Sequence, residues 1–194
     1  MMERSEAGIN PPGADDAEDH DGFTTALPLI IQRSPDLNME DLKSCFEVVS
    51  TKPESLMHYE VEAFLLNEYM KGTEDPLEAT LEHFKENEMI CNEINAVQDG
   101  KNSDQSCEEL VKTFGLKCNL PGSFQSSLVT LIGAQSYDEG IKNTIFCGGD
   151  SCSRSNVVGA CLGAKFGIAN IPVEWIAKVD GIEDIIENCL KVFS

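Results

Sequence analysis

Residues 147–167 decide the fold class, and they read Cys-Gly-Gly-Asp-Ser-Cys-Ser-Arg-Ser-Asn-Val-Val-Gly-Ala-Cys-Leu-Gly-Ala-Lys-Phe-Gly. Gly159, Gly163 and Gly167 recur every four residues, which places them on one face of a single helix. Each glycine costs about 1 kcal/mol relative to alanine inside a helix, so three of them need a compensating reason. Close approach of a neighbouring helix is such a reason. The stretch therefore predicts a helix buried in a helical core.

The same glycine spacing is used by membrane helices that dimerise. Here only ten uncharged residues separate Arg154 from Lys165, whereas a helix needs about 20 apolar residues to span a bilayer. The first residues also lack the basic and then apolar pattern of a secretory signal. We therefore expect a cytoplasmic protein with no membrane partner.

The start of this helix carries the candidate chemistry. Gly148 and Gly149 permit a tight turn that aims the following polar side chains into a cleft. Asp150 and Ser153 then fit two interpretations. They form a helix N-cap, in which Asp150 accepts from the backbone of the first turn, or they bind a hard cation such as Mg²⁺ through oxygen. The residues alone leave both interpretations open.

Helical signals extend over most of the chain. Apolar residues recur at helical spacing over 42–49 and 56–70, and Gly72 is a plausible end of the second stripe. Alternating strand patterns with two-residue turns are absent. The sequence thus predicts an all-α protein. Further start signals and helices are Asp75-Pro76, the capping boxes Ser106/Glu109 and Ser136/Glu139, a helix from Ile171-Pro172 to Lys178 and a last one over 182–192.

Charge is spread unevenly along the 194 residues, whose net charge is −20. Residues 1–110 hold 26 acidic and 7 basic side chains (net −19), and residues 111–194 hold 8 and 7 (net −1). A surface this negative repels phosphates, so nucleic acid is not expected as a partner. High negative charge also favours solubility at high concentration.

Composition divides the chain at residue 21. Residues 1–21 contain Pro11-Pro12-Gly13 and an acidic run over 15–21 with little to bury, which predicts a flexible acidic tail or linker. Residues 22–194 are predicted to form the helical domain.

Eight cysteines are present, without any Cys-x-x-Cys pair, and the three histidines are scattered. A structural zinc site is therefore not indicated. In a reducing compartment we expect free thiols, mostly buried; redox sensing or crosslinking between chains is the alternative. Cys161 and Cys189 fall at apolar helix positions and are predicted to be inert.

Several of these motifs together resemble the ADP-ribosylglycohydrolase family. They are Gly-Gly-Asp at 148–150, the small-residue helix after it, and Ile171-Pro172-x-x-Trp175. Residues 120–124 (Leu-Pro-Gly-Ser-Phe), Cys-Ser-Arg at 152–154 and residues 159–164 are similar to the J1-crystallin-like branch. Residues 21–28 resemble a mid-domain stretch of the family. The resemblance runs from residue 21 to the end of the chain.

The resemblance implies an all-helical fold in which paired Mg²⁺ ions position ADP-ribose for hydrolysis at the ribose C1″. Its second metal motif is Gly-Gly-Asp, any residue, Asp, then Thr or Ser. Asp150 matches the first carboxylate of this motif and Ser153 its hydroxyl, whereas Cys152 stands at the position of the second aspartate. A neutral thiol is a poor Mg²⁺ ligand, so the expected magnesium site is degraded.

The family also carries an acidic motif of paired aspartates and threonines in an N-terminal half. Asp15-Asp16 lacks the flanking hydroxyls and is assigned to the tail. The resemblance therefore implies the C-terminal part of the domain, truncated on its N-terminal side.

Four functions follow from this interpretation. The preferred one is a non-catalytic J1-crystallin-like protein. The others are a Mg²⁺-dependent hydrolase that uses Asp150 and Ser153 to remove ADP-ribose from modified proteins or small molecules, an ADP-ribose-binding module that does not cleave, and a helical interaction domain. Arg154 fits an ion pair with the acidic half or a phosphate contact. Phe124 and Trp175 are predicted core anchors.

Overall fold

The computed structural model describes residues 8 and 10–192, and the described chain is built from α-helices without a β-strand. This confirms the all-α prediction. No helix in the described part is long and apolar enough to cross a membrane. The helices are α1 (Asp21–Arg33), α2 (Met39–Val49), α3 (Pro53–Lys71), α4 (Pro76–His83), α5 (Glu88–Lys101), α6 (Cys107–Phe114), α7 (Gly122–Leu131), α8 (Tyr137–Phe146), α9 (Ser151–Phe166), α10 (Val173–Ile176) and α11 (Ile182–Val192), with a 3₁₀ turn at Ile168–Asn170.

Helix α3 is the centre of the fold. It packs against α1, α2, α4 and α9, and its buried residues lie around most of its circumference rather than on one stripe. A helix covered on several sides is typical of a protein interior. Pro53 occupies its first turn, and Gly72 ends it in the left-handed conformation (φ 71°), as the sequence predicted.

The glycine helix α9 packs against α3, α7 and α8. The predicted close packing of a neighbouring helix is found with α8, but the backbone of α8 does not lie against the glycines. A Cβ atom added at Gly159 would meet only side-chain atoms, the nearest being the Tyr137 hydroxyl at 3.5 Å and Ile141 Cδ1 at 3.6 Å. Gly167 lies beyond the helix and ends it with φ 76°. Large side chains of α8 therefore occupy the space next to Gly159 and Gly163.

Local start signals were predicted well. Asp75 caps α4 by accepting from the Glu78 N–H, and both halves of the capping box at Ser106 are present. The second box is half formed. Ser136 accepts from the Glu139 N–H, but the Glu139 carboxylate accepts from the Gln135 N–H instead.

Neither α1 nor α5 was predicted. Pro28 lies inside α1, where it removes one helical hydrogen bond and interrupts the sequence pattern. The first turn of α5 is capped by Asn87, whose side chain accepts from the Ile90 N–H.

Residues 13–20 of the predicted tail are anchored to the helices. The Gly13 N–H donates to the Glu47 carbonyl (2.9 Å), and the Ser55 hydroxyl donates to the Ala17 carbonyl (2.6 Å). His20 is fully buried. A flexible tail therefore does not describe these residues, whereas residues 1–7 and 9 lie outside the described part.

The two aromatic residues predicted to lie in the core differ in burial. Phe124 is fully buried, as predicted. Trp175 is only half-buried, with its ring 6.4 Å from that of Tyr137, so its assignment to the core is wrong. The segment after α9 leaves several large apolar side chains exposed, which include Ile168, Val173 and Leu190. Cys189 is also exposed, in contrast to Cys161.

A buried ion pair joins α3 to α5. His58 is 2% exposed, and its two ring nitrogens face two acceptors, the Glu54 carbonyl at 2.7 Å and the Glu93 carboxylate at 2.8 Å. Only an imidazolium can donate to both. Burial opposes the charged form, but these hydrogen bonds outweigh it and raise the pKa of His58.

We expect Gly159→Ala and Gly163→Ala to leave stability unchanged or raise it by up to about 1 kcal/mol per site, because alanine fits and favours the helix. Gly22→Ala is the contrasting variant, since its Cβ would overlap the buried ring of Tyr59. We expect it to lower the free energy of unfolding by about 1–3 kcal/mol. Urea denaturation measures all three. A large loss at Gly159 would show that a backbone does pack there.

Glu93→Gln should destabilise the protein by about 1–3 kcal/mol at pH 6, where His58 is charged. The pKa of His58 is higher in the folded chain than in the unfolded chain. The stabilisation by the pair of His58 and Glu93 is therefore present below about pH 6.5 and is lost as the pH rises through the folded pKa of His58. The deficit should therefore shrink toward pH 9. Urea denaturation at both pH values measures it, with Glu86→Gln, an exposed site, as the control. A deficit independent of pH would contradict this assignment.

Candidate functional site

The candidate site is built on the turn between α8 and α9. Gly148 and Gly149 both adopt the left-handed conformation, with φ angles of 74° and 68°. A Cβ atom at Gly149 would overlap the carbonyl oxygen of Leu116. Glycine is therefore required at 149 by both its backbone conformation and the close approach of another chain segment.

Asp150 follows this turn and is the N-cap of α9. Its backbone N–H donates to the Leu116 carbonyl at 2.7 Å. Its carboxylate accepts from the Ser153 N–H (3.1 Å) and from the Ser153 hydroxyl (3.0 Å). The backbone hydrogen bond from Ser153 lowers the pKa of the Asp150 carboxyl, against a smaller effect of burial. The cap interpretation is confirmed.

The connection over residues 115–121 holds the site together. Besides the bond from Asp150 to Leu116, the Leu120 N–H donates to the Glu18 carbonyl at 2.7 Å, and the Glu18 carboxylate forms an ion pair with Lys52. The buried hydroxyl of Ser126 fixes the start of the connection by donating to the Gly115 carbonyl (2.8 Å). The Gly-Gly-Asp turn and the acidic N-terminal segment are therefore fastened to the same connection.

This arrangement brings one further carboxylate, that of Asp21, into electrostatic contact with Asp150. Partial burial raises the pKa of Asp21, at the start of α1, and the negative charges of Asp19 and Asp150 raise it further. The sequence had assigned Asp19 and Asp21 to the tail and gave no sign of this proximity. Asp15 and Asp16 are exposed.

A buried polar pair holds the start of α1 against α3. His20 Nδ1 lies 2.5 Å from Glu62 Oε1, and both side chains are fully buried. His20 Nε2 and Glu62 Oε2 have no hydrogen-bond partner among the described residues. The two residues are 42 positions apart, so no local pattern indicated the pair.

Arg154 lies fully buried beneath the Gly-Gly-Asp turn. Its Nη2 donates to the carbonyls of Thr144 (3.2 Å) and Gly148. Within the described residues it forms no ion pair, so the predicted pairing with the acidic half is wrong. Burial also removes it from contact with a ligand phosphate at the surface. Its role here is to fasten the end of α8 to the turn.

Beside the connection lies an open cleft of about 420 Å³. Lys112 and Lys117 line it, together with Leu116, whose carbonyl accepts from Asp150. Lys112 also forms an ion pair with Glu108. The cleft therefore carries two lysines next to the connection, and one of them is already paired with a carboxylate.

The residues present fit a magnesium ion poorly. Mg²⁺ requires near-octahedral oxygen coordination, and Asp150 and Ser153 supply two donor groups that already hydrogen-bond to each other. Cys152 is exposed on the first turn of α9. Residues 8 and 10–192 contain no group of three or more His, Cys, Asp or Glu side chains that could hold a metal ion. Metal binding by Asp150 and Ser153 stays a prediction.

The family model for ADP-ribosylglycohydrolase matches residues 4–194. The chain belongs to the ADP-ribosylglycohydrolase family. A solved structure described as an ADP-ribosylglycohydrolase-related protein complex aligns with a TM-score of 0.73 at 22% identity, over 99% of this chain and 66% of that one. This ADP-ribosylglycohydrolase family member therefore has the helical fold that the resemblance implied.

Two crystallins are among its relatives. Crystallin J1A of Tripedalia cystophora is 25% identical over 189 residues, which cover 96% of this chain and 58% of the crystallin. Crystallin J1B of the same organism is 24% identical over 194 residues, with coverages of 98% and 59%. The predicted similarity to J1-crystallins is confirmed. The chain spans less than two thirds of the length of these relatives.

Asp150→Ala should lower the free energy of unfolding by about 1 kcal/mol at neutral pH, because the first turn of α9 loses its cap. The folded pKa of Asp150 is depressed, so its contribution is present above the unfolded value of 3.8 and is lost as the pH falls through the folded pKa. The deficit should therefore shrink in acid. Asp150→Asn is the matched control, since asparagine also caps. Equal stability of the alanine variant in urea denaturation at pH 7 would contradict the cap.

Proposed function

We propose that this chain is a non-catalytic, J1-crystallin-like member of the ADP-ribosylglycohydrolase family with a degraded magnesium site. The observation that carries the proposal is the thiol of Cys152. It stands on the exposed first turn of α9, at the position where the family motif has its second aspartate.

The substitution removes both a ligand and a charge. A carboxylate is a hard anionic oxygen donor, whereas a neutral thiol binds Mg²⁺ weakly. The remaining donors, Asp150 and Ser153, satisfy each other as a helix cap. A cap that is complete without a cation supports a structural role for these residues.

Charge supports the same conclusion. A net charge of −20 on 194 residues keeps molecules apart by mutual repulsion, as a protein at high concentration in the cytoplasm requires. The similarity to crystallins J1A and J1B covers nearly all of this chain. A structural rather than a hydrolytic role is the simplest function that fits both properties.

One observation favours a second candidate, an ADP-ribose-binding module that does not cleave. Lys112 and Lys117 line the cleft beside the connection that is hydrogen-bonded to the Gly-Gly-Asp turn. Two cations there would attract the diphosphate of free ADP-ribose or of an ADP-ribosylated protein. Binding of this kind would need no metal.

The test combines thermal unfolding, calorimetry and turnover. For the wild-type chain we expect no rise in melting temperature with millimolar Mg²⁺ and no release of ADP-ribose from an ADP-ribosylated peptide. Cys152→Asp restores the carboxylate of the motif, so we expect it to gain a Mg²⁺-dependent rise in melting temperature. Cys189→Asp, at an exposed site on α11, is the control for an added charge.

Release of ADP-ribose by the wild-type chain, abolished in Asp150→Asn, would overturn the non-catalytic proposal and favour the hydrolase. Heat of binding with ADP-ribose but no turnover would favour the binding module. In that case Lys117→Glu should weaken binding.

A further inference from the structure

Two cysteines from distant parts of the chain lie side by side. The Sγ atoms of Cys107 and Cys147 are 3.5 Å apart, although the residues are separated by 40 positions. Cys107 begins α6, and Cys147 directly follows α8. A disulfide has a sulfur–sulfur distance of about 2.05 Å, so the two sulfurs must approach by about 1.5 Å, shared between two side chains.

A buried guanidinium lies close to the pair. Arg154 is fully buried, and its Nε and Nη1 have no hydrogen-bond partner in the part of the chain that is described. Its guanidinium interacts electrostatically with both Cys107 and Cys147. The same guanidinium also interacts electrostatically with the Asp150 carboxylate. Its positive charge favours an anion at Cys147, against the larger opposing effect of burial.

The two thiols differ in access. Cys147 is 5% exposed, whereas Cys107 is half-buried. Burial raises the pKa of the Cys147 thiol, and the neighbouring Cys107 raises it further. An oxidant from solution therefore meets Cys107 first, with Cys147 placed to react with the product.

We propose that Cys107 and Cys147 form a redox pair, which closes to an intramolecular disulfide in the folded chain when a peroxide oxidises it. The Cys107 thiol loses its proton, and its sulfur attacks one oxygen of hydrogen peroxide. The O–O bond breaks and the departing hydroxide takes up the proton, so that a sulfenic acid and water form. The Cys147 sulfur then attacks the sulfenic sulfur, the S–S bond forms, and the S–O bond breaks to release a second water. Two thiols lose two electrons and two protons, and the peroxide is reduced to water.

The bond would link α6 to the turn that carries Asp150. Cys147 precedes Gly148, whose carbonyl accepts from Arg154, so oxidation would tether the Gly-Gly-Asp turn to the start of α6. This inference does not depend on whether the chain binds or cleaves ADP-ribose.

The experiment treats the folded 194-residue chain with hydrogen peroxide, blocks free thiols by alkylation and digests the protein with trypsin without reduction. Cleavage after Lys101, Lys112, Lys142 and Arg154 gives one peptide with Cys107 and one with Cys147 and Cys152. A Cys152→Ser background therefore makes the assignment unambiguous. We expect the cross-linked peptide 102–112/143–154, and we expect dithiothreitol to remove it.

Cys107→Ser and Cys147→Ser should each abolish this cross-link, whereas Cys91→Ser, also a half-buried cysteine, should leave it unchanged. The disulfide would close a loop between two residues 40 positions apart. It should raise the melting temperature of the oxidised protein by about 5–10 °C. Cys147→Ser should show no such rise.

Alkylation of both cysteines after peroxide treatment, without a cross-link, would overturn the proposal. A cross-link that appears only in urea would also overturn it, because the pair would then not be held together by the fold. The same conclusion would follow if the melting temperature of the oxidised protein failed to rise.

Discussion

The close approach of Leu116 to Gly149 and Asp150 is the constraint on which the site depends. A carbonyl oxygen occupies the space where residue 149 would carry a side chain, and it accepts the Asp150 N–H at 2.7 Å. This contact sets the direction in which α9 begins, and with it the position of the cap formed by Asp150. The same connection is also hydrogen-bonded to the acidic N-terminal segment, because the Leu120 N–H donates to the Glu18 carbonyl.

Polar contacts in the interior reinforce this arrangement. Arg154 is buried under the turn and donates to carbonyls at the end of α8 and in the turn itself. The pair of His20 and Glu62 fixes the entry to α1 in the same way. Such groups are costly to bury unless they are hydrogen-bonded, so they favour one arrangement of the helices over others. The geometry around Asp150 is therefore set by polar contacts as much as by apolar packing.

Sequence reasoning succeeded where the structure is decided locally. The caps at Asp75, Ser106 and Asp150 each depend on three or four consecutive residues. The first two were predicted, and a cap was one of the two interpretations given for Asp150. The family and the all-helical class were also predicted, because short motifs carry them. Prediction from the sequence failed where two interacting side chains are far apart along the chain. Nothing near His20 in sequence indicates Glu62.

The glycines of α9 show a second limit of such reasoning. Their spacing gives the face on which they lie, but it does not say whether a backbone or a large side chain is opposite. Tyr137 and Ile141 of α8 cover Gly159. Trp175 was misassigned for a related reason, since an aromatic residue indicates apolar area but not which segment covers it.

The connection over residues 115–121 combines an exposed position with a fixed length. Surface loops normally accept insertions and vary in length among relatives. Here Leu116 and Leu120, only four residues apart, are each bonded through the backbone to a different distant segment. An added residue between them would pull one of those segments out of register with the other. The loop is thus a spacer whose length is set by the distance between its two anchor points rather than by the chain ends that it joins.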